Sequence, residues 1–510
     1  MNKIRERKGL TKFKSFNVRL LNGITALFIL SFVTSGFAEK SAGQTTRLKI
    51  TGTVTASSYG IPPDTTGMGD LTSVELAKKM VPGWNVGNSL DAIGGETAWG
   101  NPLITQRLID SVKAAGFKAI RIPVAWSNFS DTSTYTIKTE WLNRVKEVVD
   151  YVMHDSMYAI INIHWDGGWM QPTYAMQGYV NNRLAVMWDQ IAVHFCDYGN
   201  HLLFAGTNEV MVEGNYGPPN KEYCAVQNSF NQTFVTTVRS TGGRNAYRYL
   251  VVQGFNTNID YTVSCFLTPE DETDNRLMVE VHYYDPYNFS INTQNDNITQ
   301  WGKYVTDPSK TETWANEPYA DNQFLKMRKK FIDQGYGVIL GEYGAVSRLN
   351  LGSDELNAEH AGFRLYYNGY ITASIISRGL VPFYWDNGYT GNHAFGLFDR
   401  STGAQAYPDN IKAIMVAVDT SEVISGIPAD IMNPESMRLY PNPVHEELNL
   451  EVYVNAVDFC QLYKANGQMI KTLKVRQGMN TFSLKDLKTG LYFTRCSTSS
   501  GVVVQKFLKE

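Results

Sequence analysis

The sequence predicts an α/β protein, a closed (β/α)8 barrel followed by a small C-terminal β-sandwich. Two observations predict the barrel: eight short apolar runs of strand length recur along the chain, and amphipathic segments of helix length separate them. The sandwich is predicted because, from about residue 437, short runs of alternating polar and apolar residues replace the longer pattern. No Gly-x-Gly-x-x-Gly follows the first run, which disfavours an open nucleotide-binding sheet.

The elements of the barrel follow in chain order from residue 83. The strand candidates are 83–90, 118–124, 158–165, 202–210, 249–255, 277–284, 337–344 and 380–385. The clearest helix candidates between them are 105–115, 139–154, 183–198, 221–240 and 322–334. In such a barrel the carboxyl ends of the strands form the active face, so polar residues at those ends are the first candidates for function.

Composition narrows the class of function. The chain has 510 residues, of which 43% are hydrophobic and 19% charged, and this describes a globular protein with a large core. Its net charge of -3 gives no reason to expect nucleic acid or an anionic membrane as a partner. The 10 Trp, 29 Tyr and 24 Phe residues fit stacking on sugar rings, although an ordinary large core uses the same residues.

The N-terminus is expected to be an export signal, residues 1–38. A basic region precedes an apolar segment at 20–37, and small residues follow it. The alternative is a single membrane anchor, for which the apolar segment is short. Residues 39–70, rich in Thr, Ser and Gly, are interpreted as a linker or N-terminal extension, 71–420 as the barrel, 421–436 as a second linker and 437–510 as the C-terminal domain.

The five cysteines are compatible with export. They are Cys196, Cys224, Cys265, Cys460 and Cys496. Their odd number leaves at least one unpaired, and pairing of Cys460 with Cys496 inside the C-terminal domain is one hypothesis. No Cys-x-x-Cys or Cys/His cluster indicates a metal, so neither a metal nor another cofactor is expected.

Two strand candidates end in a glutamate. The run 202–210 ends in Asn208 and Glu209, and the run 337–344 contains Glu342 close to its end. A carboxylate at the end of a buried strand must face a cleft or find a buried cation, although Glu209 at the start of a following helix is an alternative. Two carboxylates brought together from separate strand ends are typical of glycoside hydrolysis.

Further polar residues and one tryptophan accompany these glutamates at the predicted strand ends. Together the candidates are Arg121, His164, Asn208, Glu209, His282, Tyr284, Glu342 and Trp385. The strings that contain or flank them, in order, are Gly-Trp-Asn-Val-Gly-Asn-Ser-Leu-Asp at 83–91, Glu-Thr-Ala-Trp-Gly-Asn-Pro at 96–102, Arg-Ile-Pro at 121–123, Asn-Ile-His-Trp-Asp at 162–166, Asn-Glu at 208–209, His-Tyr-Tyr at 282–284, Gly-Glu-Tyr-Gly at 341–344 and Trp385.

This ordered set resembles glycoside hydrolase family 5, over about residues 72–420, and is most similar to its bacterial endo-β-1,4-glucanases. The resemblance implies that Glu209 is the general acid/base and Glu342 the nucleophile of a retaining mechanism. The two carboxyl groups are then expected about 5–5.5 Å apart, with the pKa of Glu209 raised and Glu342 kept anionic. Arg121 is the candidate cation beside Glu342 and Tyr284 a candidate donor; the alternative for Arg121 is a structural salt bridge.

The resemblance also implies roles for the remaining candidates. Asn208 would bind the 2-hydroxyl of the cleaved sugar, while His164 and His282 would orient hydroxyls and carboxylates. Trp385 would form the floor beneath that sugar. Trp99, Trp165 and Trp169 are candidates for neighbouring subsites, with core packing as the alternative for at least one of them. The alternative is a metal-dependent barrel hydrolase that uses the two histidines with Asp166, but a third convincing metal ligand is missing.

The sequence departs from the family pattern at two positions. Val210 follows the acid/base, where the family usually has proline, so the shape of that loop is in question. Trp165 stands where many relatives have a second histidine, and this puts the preferred sugar decoration in question. Neither departure removes a carboxyl group.

The C-terminal segment resembles the sorting domain of the type IX (Por) secretion system. The resemblance rests on Leu-Tyr-Pro-Asn-Pro-Val at 439–444, Lys-Ala-Asn-Gly at 464–467, Gly-Leu-Tyr at 490–492 and the last strand at 501–509, with Lys506. It implies export across an outer membrane, to the cell surface or medium, and removal of the domain. A carbohydrate-binding β-sandwich is the alternative, with few aromatic residues to support it.

These observations lead to one main functional hypothesis. The protein is expected to be a secreted, retaining endo-β-1,4-glucanase whose partners are a β-linked polysaccharide and the secretion machinery, without a stable membrane span after processing. Xyloglucan, mixed-linkage glucan and mannan remain open as substrates. The rival hypothesis, from another class, is a noncatalytic surface protein that binds glycans.

Overall fold

The computed structural model of the protein describes residues 60–425, 437–453, 459–464, 469–498 and 501–510. The predicted signal at 1–38 and most of the predicted extension at 39–70 lie outside the described residues. In the described part of the chain, residues 60–425 form the barrel with its helices, and the residues from 437 onward form antiparallel sheets.

The barrel consists of eight parallel strands that close in sequence order, which confirms the predicted fold. The strands are β1 (Gly83–Val86), β2 (Ala119–Ile122), β3 (Tyr158–Asn162), β4 (Leu202–Ala205), β5 (Leu250–Gln253), β6 (Leu277–Tyr283), β7 (Gly337–Tyr343) and β8 (Val381–Asp386). Several of them end before the predicted boundary, because the chain leaves strand geometry and turns toward the active face. After β4, for example, Asn208 and Glu209 belong to a loop.

The helices of the described residues surround this barrel. They are α1 (Ser73–Lys79), α2 (Gln106–Ala114), α3 (Thr139–His154), α4 (Tyr174–His194), α5 (Lys221–Ser240), α6 (Ile259–Cys265), α7 (Tyr287–Ser290), α8 (Glu317–Lys330), α9 (Asp354–Ser377) and α10 (Pro408–Ser425). The predicted helices at 139–154 and 221–240 have the observed bounds. The prediction for α4 started nine residues late (183 minus 174), and α1, α6, α7, α9 and α10 were not among the predicted helices.

Side chains that point into the barrel form two kinds of layer. Near the amino ends of the strands the layer is apolar and includes Ile160, Leu203 and Met278, and helix α1 packs against it from below through Leu76. Two residues further along each strand the inward side chain is polar at several positions, because successive inward positions differ by two. The polar set contains Asn85, Arg121, Asn162, Gln253 and Glu280, all buried.

The C-terminal residues form two antiparallel sheets. One has the order β13–β10–β9 and the other β12–β11–β14–β15. Their strands are β9 (Met437–Tyr440), β10 (Glu447–Val452), β11 (Phe459–Lys464), β12 (Met469–Lys474), β13 (Gly478–Ser483), β14 (Gly490–Thr498) and β15 (Gly501–Lys509). Apolar side chains of both sheets share a core in which Leu450 and Cys460 meet, and this confirms the predicted sandwich.

Two disulfides link described cysteines. Cys460 on β11 is bonded to Cys496 on β14, as predicted, and the two residues are register partners in the sheet. Cys224 of α5 is bonded to Cys265 at the end of α6, a pairing that the sequence did not indicate. Cys196 is free.

Candidate active site

The glutamates from β4 and β7 meet at the carboxyl end of the barrel. One carboxylate oxygen of Glu209 and one of Glu342 lie within 4.8 Å of each other, and both lie within this distance of a His282 nitrogen. Glu342 is buried within β7, whereas 43% of the Glu209 side chain is exposed. Glu209 has a positive backbone φ of 45°, and this sharp turn directs its side chain back over the barrel.

His282 lies between the two glutamates. Its Nδ1 is 2.8 Å from Oε1 of Glu209 and 3.7 Å from Oε2 of Glu342. Burial by itself disfavours a charged imidazole, but the three carboxylates around the ring outweigh burial and raise the pKa of His282 to about 9. His282 is therefore an imidazolium at neutral pH and donates its Nδ1 proton to Glu209.

Arg121 lies beneath the glutamates and is entirely buried. Its Nη1 donates to Oε1 of Glu342 at 2.9 Å and to Oδ1 of Asn85 at 3.0 Å. Its Nη2 donates to Oδ1 of Asn208 at 2.5 Å, and its Nε lies 2.9 Å from Oε1 of Glu280. The planar guanidinium thus holds four side chains in one fixed arrangement, which a lysine cannot reproduce.

Glu342 contacts the cation and the hydrogen-bond donor that were expected from the sequence. Besides Arg121, the hydroxyl of Tyr284 donates to its Oε2 at 3.2 Å. Burial nevertheless raises the pKa of Glu342, and although Arg121 and His282 lower it, the like charges of the other glutamates add to the effect of burial. The pKa of Glu342 is about 7, so the carboxyl group ionises near neutral pH and not far below it.

Asn208 and His164 present polar groups beside the glutamates. Because Oδ1 of Asn208 accepts from Arg121, its amide nitrogen remains as a donor. Nδ1 of His164 lies 3.2 Å from the amide nitrogen of Asn162 and accepts a hydrogen bond from it. Burial and the nearby positive charges hold the pKa of His164 well below its ordinary value, so its ring is neutral and its Nε2 carries the proton.

Trp385, at the end of β8, lies parallel to the ring of His164. The ring centroids are 5.9 Å apart and the planes differ by 7°. Gly87 lies behind Trp385, where a Cβ would come within 2.6 Å of the indole ring, so a glycine there makes room for it. The indole ring forms a flat wall at the active face.

The tryptophans of the loop after β3 differ in environment. Trp165 is 54% exposed, as a sugar-stacking residue must be. Trp169 instead donates its indole N–H to Asp166 at 2.9 Å, and the guanidinium of Arg183 lies over its ring at 4.2 Å. Trp169 is therefore a structural residue, whereas Trp165 and Trp99, which is 39% exposed, have faces open to a ligand.

Asp166 does not belong to a cluster with the two histidines. Its carboxylate accepts from the backbone N–H groups of Trp126 and Ser127 at 2.8 Å and from the Ser127 hydroxyl at 2.7 Å. It thereby ties the loops after β2 and β3 together. The metal-dependent alternative that combined Asp166 with His164 and His282 is wrong for this reason.

Two groups of side chains in the described residues have donor atoms close enough to share a metal ion. One is Asp110, His154 and Asp155 on the helical surface, and the other is the group of Glu209, His282 and Glu342. In the second group both ring nitrogens of His282 are already in contact with carboxylates, Nδ1 with Glu209 at 2.8 Å and Nε2 with Glu280 at 3.1 Å.

Three buried residues of the site were missed at the sequence level. Asn85, Gln253 and Glu280 all contact this network. Glu280 had a detectable signal, because it interrupts the apolar strand Leu277–Tyr283 two positions before His282 and must therefore share its face. Val210, the predicted departure, is buried, and its carbonyl accepts from the N–H of Asn256 at 2.9 Å.

A closed parallel barrel with two adjacent carboxylates at its strand ends belongs to the class of glycoside hydrolases. Comparison with known families agrees: residues 85–391 match the cellulase family, glycosyl hydrolase family 5. The chain is a member of glycoside hydrolase family 5, as the sequence motifs indicated.

Individual relatives are similar over most of the barrel. Endoglucanase A of Paenibacillus barcinonensis is 40% identical over 424 residues, which cover 79% of this chain and 98% of the relative. The xyloglucan-specific endo-β-1,4-glucanase of Bacteroides ovatus is 43% identical over 368 residues, 70% of this chain and 72% of the relative.

Solved structures show the same likeness. The Bacteroides ovatus family 5 xyloglucanase in complex with a heptasaccharide has a TM-score of 0.68 and 41% identity, and the match covers 71% of this chain and 80% of that one. The family 5 xyloglucanase of Paenibacillus pabuli, in complex with ligand, has a TM-score of 0.63 and 42% identity, with 67% and 99% covered.

Residues 438–510 match the secretion system C-terminal sorting domain. The protein is therefore a substrate of type IX secretion, delivered to the cell surface or beyond. None of the helices in the described part of the chain has the length and hydropathy that a bilayer crossing requires.

Proposed function

We propose that the protein is a secreted, retaining endo-β-1,4-glucanase in which Glu209 is the general acid/base and Glu342 the nucleophile. The observation that carries the proposal is the approach of their carboxylate oxygens to within 4.8 Å. Retaining glycosidases place the two carboxyl groups about 5–5.5 Å apart, whereas inverting enzymes leave about 6.5–9.5 Å for a water molecule.

In the first step, an ionised Glu342 oxygen attacks the anomeric carbon and Glu209 protonates the departing glycosidic oxygen. The bond between carbon and leaving oxygen breaks as the bond to Glu342 forms, which gives a glycosyl ester and a free chain end. Arg121 and Tyr284 keep the attacking carboxylate oriented through contacts of 2.9 and 3.2 Å. Part of the Glu209 side chain is exposed, so it can reach a leaving oxygen in the cleft.

In the second step, Glu209, now ionised, takes a proton from water as the water attacks the same carbon. The ester bond breaks, Glu342 regains its charge, and the sugar leaves with its original anomeric configuration. His282 stays within hydrogen-bond distance of Glu209 and stabilises its ionised state. The Asn208 amide nitrogen would donate to the 2-hydroxyl, a contact that strengthens as positive charge develops on the ring.

A polysaccharide of β-1,4-linked glucose is the proposed substrate. Trp385 supplies a flat wall, and the exposed Trp165 and Trp99 lie on the loops after β3 and β1, where they can stack on neighbouring sugars. The endoglucanase names of several relatives support this substrate class.

Xyloglucan is the second candidate substrate. It is favoured by the relatives from Bacteroides ovatus and Paenibacillus pabuli, which are described as xyloglucanases and are 43% and 42% identical to this chain. Mixed-linkage glucan and mannan have no comparable support.

The test measures release of reducing ends from carboxymethyl-cellulose by purified protein. Glu209→Gln and Glu342→Gln should each abolish release while the unfolding temperature stays close to that of the wild type. Full activity in either variant would refute its assigned role. Binding of the polysaccharide by an inactive wild-type protein would instead favour the noncatalytic alternative. Parallel assays on xyloglucan, mixed-linkage glucan and mannan rank the substrates.

The domain boundaries form part of this proposal. Residues 1–38 would be removed as a signal, 39–70 would be an extension, 71–420 the catalytic barrel, 421–436 a linker and 437–510 the sorting domain. Helix α10 ends at Ser425, inside the proposed linker. Mass spectrometry of the protein recovered from the culture medium identifies both ends of the mature chain.

A further inference from the structure

Glu280 is a third carboxylate beside the two proposed catalytic ones. It lies on β6, and its side chain is entirely buried. Its Oε1 is 2.9 Å from Nε of Arg121 and 3.1 Å from Nε2 of His282. One oxygen therefore contacts both positively charged side chains that approach Glu209 and Glu342.

The surroundings of Glu280 are built to hold a carboxylate. Gln253 donates its amide N–H to Oε2 at 2.8 Å, and the Thr207 hydroxyl donates in turn to the Gln253 oxygen at 2.8 Å. The next strand has Gly341 at the level of this group, where a Cβ would lie 1.9 Å from Oε1 of Glu280. A glycine on β7 thus leaves the space that the carboxylate occupies.

A buried carboxylate is costly unless cations and donors compensate it. Burial alone raises the pKa of Glu280, yet Arg121, His282 and the Gln253 donor outweigh burial and bring the pKa below its ordinary value. Glu280 is thus ionised, and because it has no solvent exposure it cannot touch a polysaccharide. Any effect on catalysis must pass through the side chains that it contacts.

We propose that Glu280 is a positioning residue, whose carboxylate fixes Arg121 and His282 against the two catalytic glutamates. This inference rests on the proposed function of that site. Glu280 binds Nε2–H of His282, so that Nδ1–H points to Glu209. The same oxygen forms an ion pair with Arg121, 2.9 Å from its Nε, while the terminal nitrogens donate to Glu342 and Asn208.

The charge state of His282 depends on every group around it. The carboxylates of Glu209, Glu342 and Glu280 face the ring and stabilise its positive charge, while the guanidinium of Arg121 and the ring of His164 are the nearby basic groups. The neutral hydroxyl of Tyr284 lies beyond Glu342. Removal of the Glu280 charge takes away one of three stabilising carboxylates and leaves the basic groups in place.

The test is the titration of the His282 imidazole, followed by NMR of full-length protein labelled with 15N-histidine, and assigned with His282→Gln. Glu280→Gln keeps the shape and removes the charge. We expect the pKa of His282 to fall below its value in the wild type. We also expect kcat on carboxymethyl-cellulose to fall about 10- to 100-fold, with KM changed by less than about threefold, because misaligned catalytic groups slow the chemical step more than binding.

Two further variants serve as controls. Glu280→Asp keeps the charge but withdraws it by one methylene, so its His282 pKa and kcat should lie between those of the wild type and Glu280→Gln. If Glu280→Gln does not fold, the His282 titration and kcat are measured in Glu280→Asp instead. Asp386→Asn neutralises another buried carboxylate, which pairs with Arg400 at 3.0 Å, and should leave the titration of His282 unchanged.

The inference requires that Glu280→Gln lower both the pKa of His282 and kcat. An unchanged His282 titration in Glu280→Gln would overturn the inference even if kcat fell, since the loss would then be merely structural. An unchanged kcat would overturn it even if the titration moved. Lack of hydrolysis by the wild type would refute the proposed function and would still leave the His282 titration measurable.

Discussion

The Arg121 guanidinium lies 2.9 Å from the Glu342 carboxylate, and both side chains are buried. A buried ion pair is strongly destabilised when one partner alone is removed, because the remaining charge stays in a poorly solvating interior. Here the arginine pairs with two buried carboxylates, so its loss removes a buried cation from both Glu342 and Glu280.

Arg121→Met should lower the free energy of unfolding by about 3–5 kcal/mol. Arg121→Lys should be more stable than Arg121→Met, since it keeps the charge, but its kcat/KM should fall about 100-fold because one ammonium cannot orient four side chains. Urea unfolding and steady-state kinetics measure the two effects. Lys146→Met is the control: its ion pair with Asp150 is exposed, and its loss should cost less than about 1 kcal/mol. Equal losses at the two sites would contradict the prediction.

Activity should depend on pH through Glu342. As the proposed nucleophile, Glu342 attacks only when ionised. With a pKa of about 7 it becomes protonated as the pH falls, so kcat/KM should decline below about pH 7. The like charge of Glu209 contributes to raising this pKa, so in Glu209→Gln the acidic limb should move to lower pH. Dinitrophenyl cellobioside is suitable because its leaving group needs no acid. A limb that stays in place or moves upward would exclude this coupling.

Trp165 and Trp169 should respond differently to replacement. Trp165→Ala removes an exposed ring, so stability should change by no more than about 0.5 kcal/mol while KM for the polysaccharide rises. Trp169→Ala removes the hydrogen bond to Asp166 and the contact with Arg183, so it should lower the unfolding temperature. Thermal unfolding and KM are measured for both variants. The assignments fail if Trp165→Ala is the less stable protein.

Gly341→Ala should be destabilising although it adds only a methyl group. The Cβ would lie 1.9 Å from the Glu280 carboxylate, and such overpacking costs about 1–3 kcal/mol. Gly178→Ala is the matched control, because Gly178 lies inside α4 and a Cβ there meets no atom within 4 Å. It should stabilise the protein by about 0.5–1 kcal/mol. Chemical unfolding of both variants checks the opposite signs.

The barrel was predictable because its strands carry a repeated physical signal. Each is a short apolar run that ends in polar residues, and the order of those ends along the chain is the order of the barrel. Some helices gave a weaker signal. Helix α9 buries polar residues such as His360, Arg364 and Asn368 together with apolar ones, so its buried face is not uniformly apolar. The prediction for α4 started late because Gly178 lies within its first turns.

The site was predictable at strand ends and less so inside the barrel. Glu209 and Glu342 could be recognised because a carboxylate at the end of a buried apolar run must face a cleft or pair with a cation. Glu280 has the same property, yet it lies within the run; Gln253 is its register partner on the neighbouring strand β5, but Arg121 comes from β2, which does not pair with β6. Contacts of this kind depend on the closure of the barrel, which brings these strands together. Every second side chain of β6 points into the barrel, and a polar residue at such a position is the local signal that identifies residues like Glu280.

Glu209 occupies a left-handed backbone conformation, with φ at 45°. The conformational strain of a residue with a long side chain in this region is of order 1–3 kcal/mol, and glycine or asparagine adopts it at lower cost. Directed evolution that selects only for survival at high temperature would therefore enrich Gly or Asn at position 209, and would do so at the expense of turnover. Engineering for higher thermal stability therefore has to keep Glu209 unchanged and introduce stabilising substitutions at other positions.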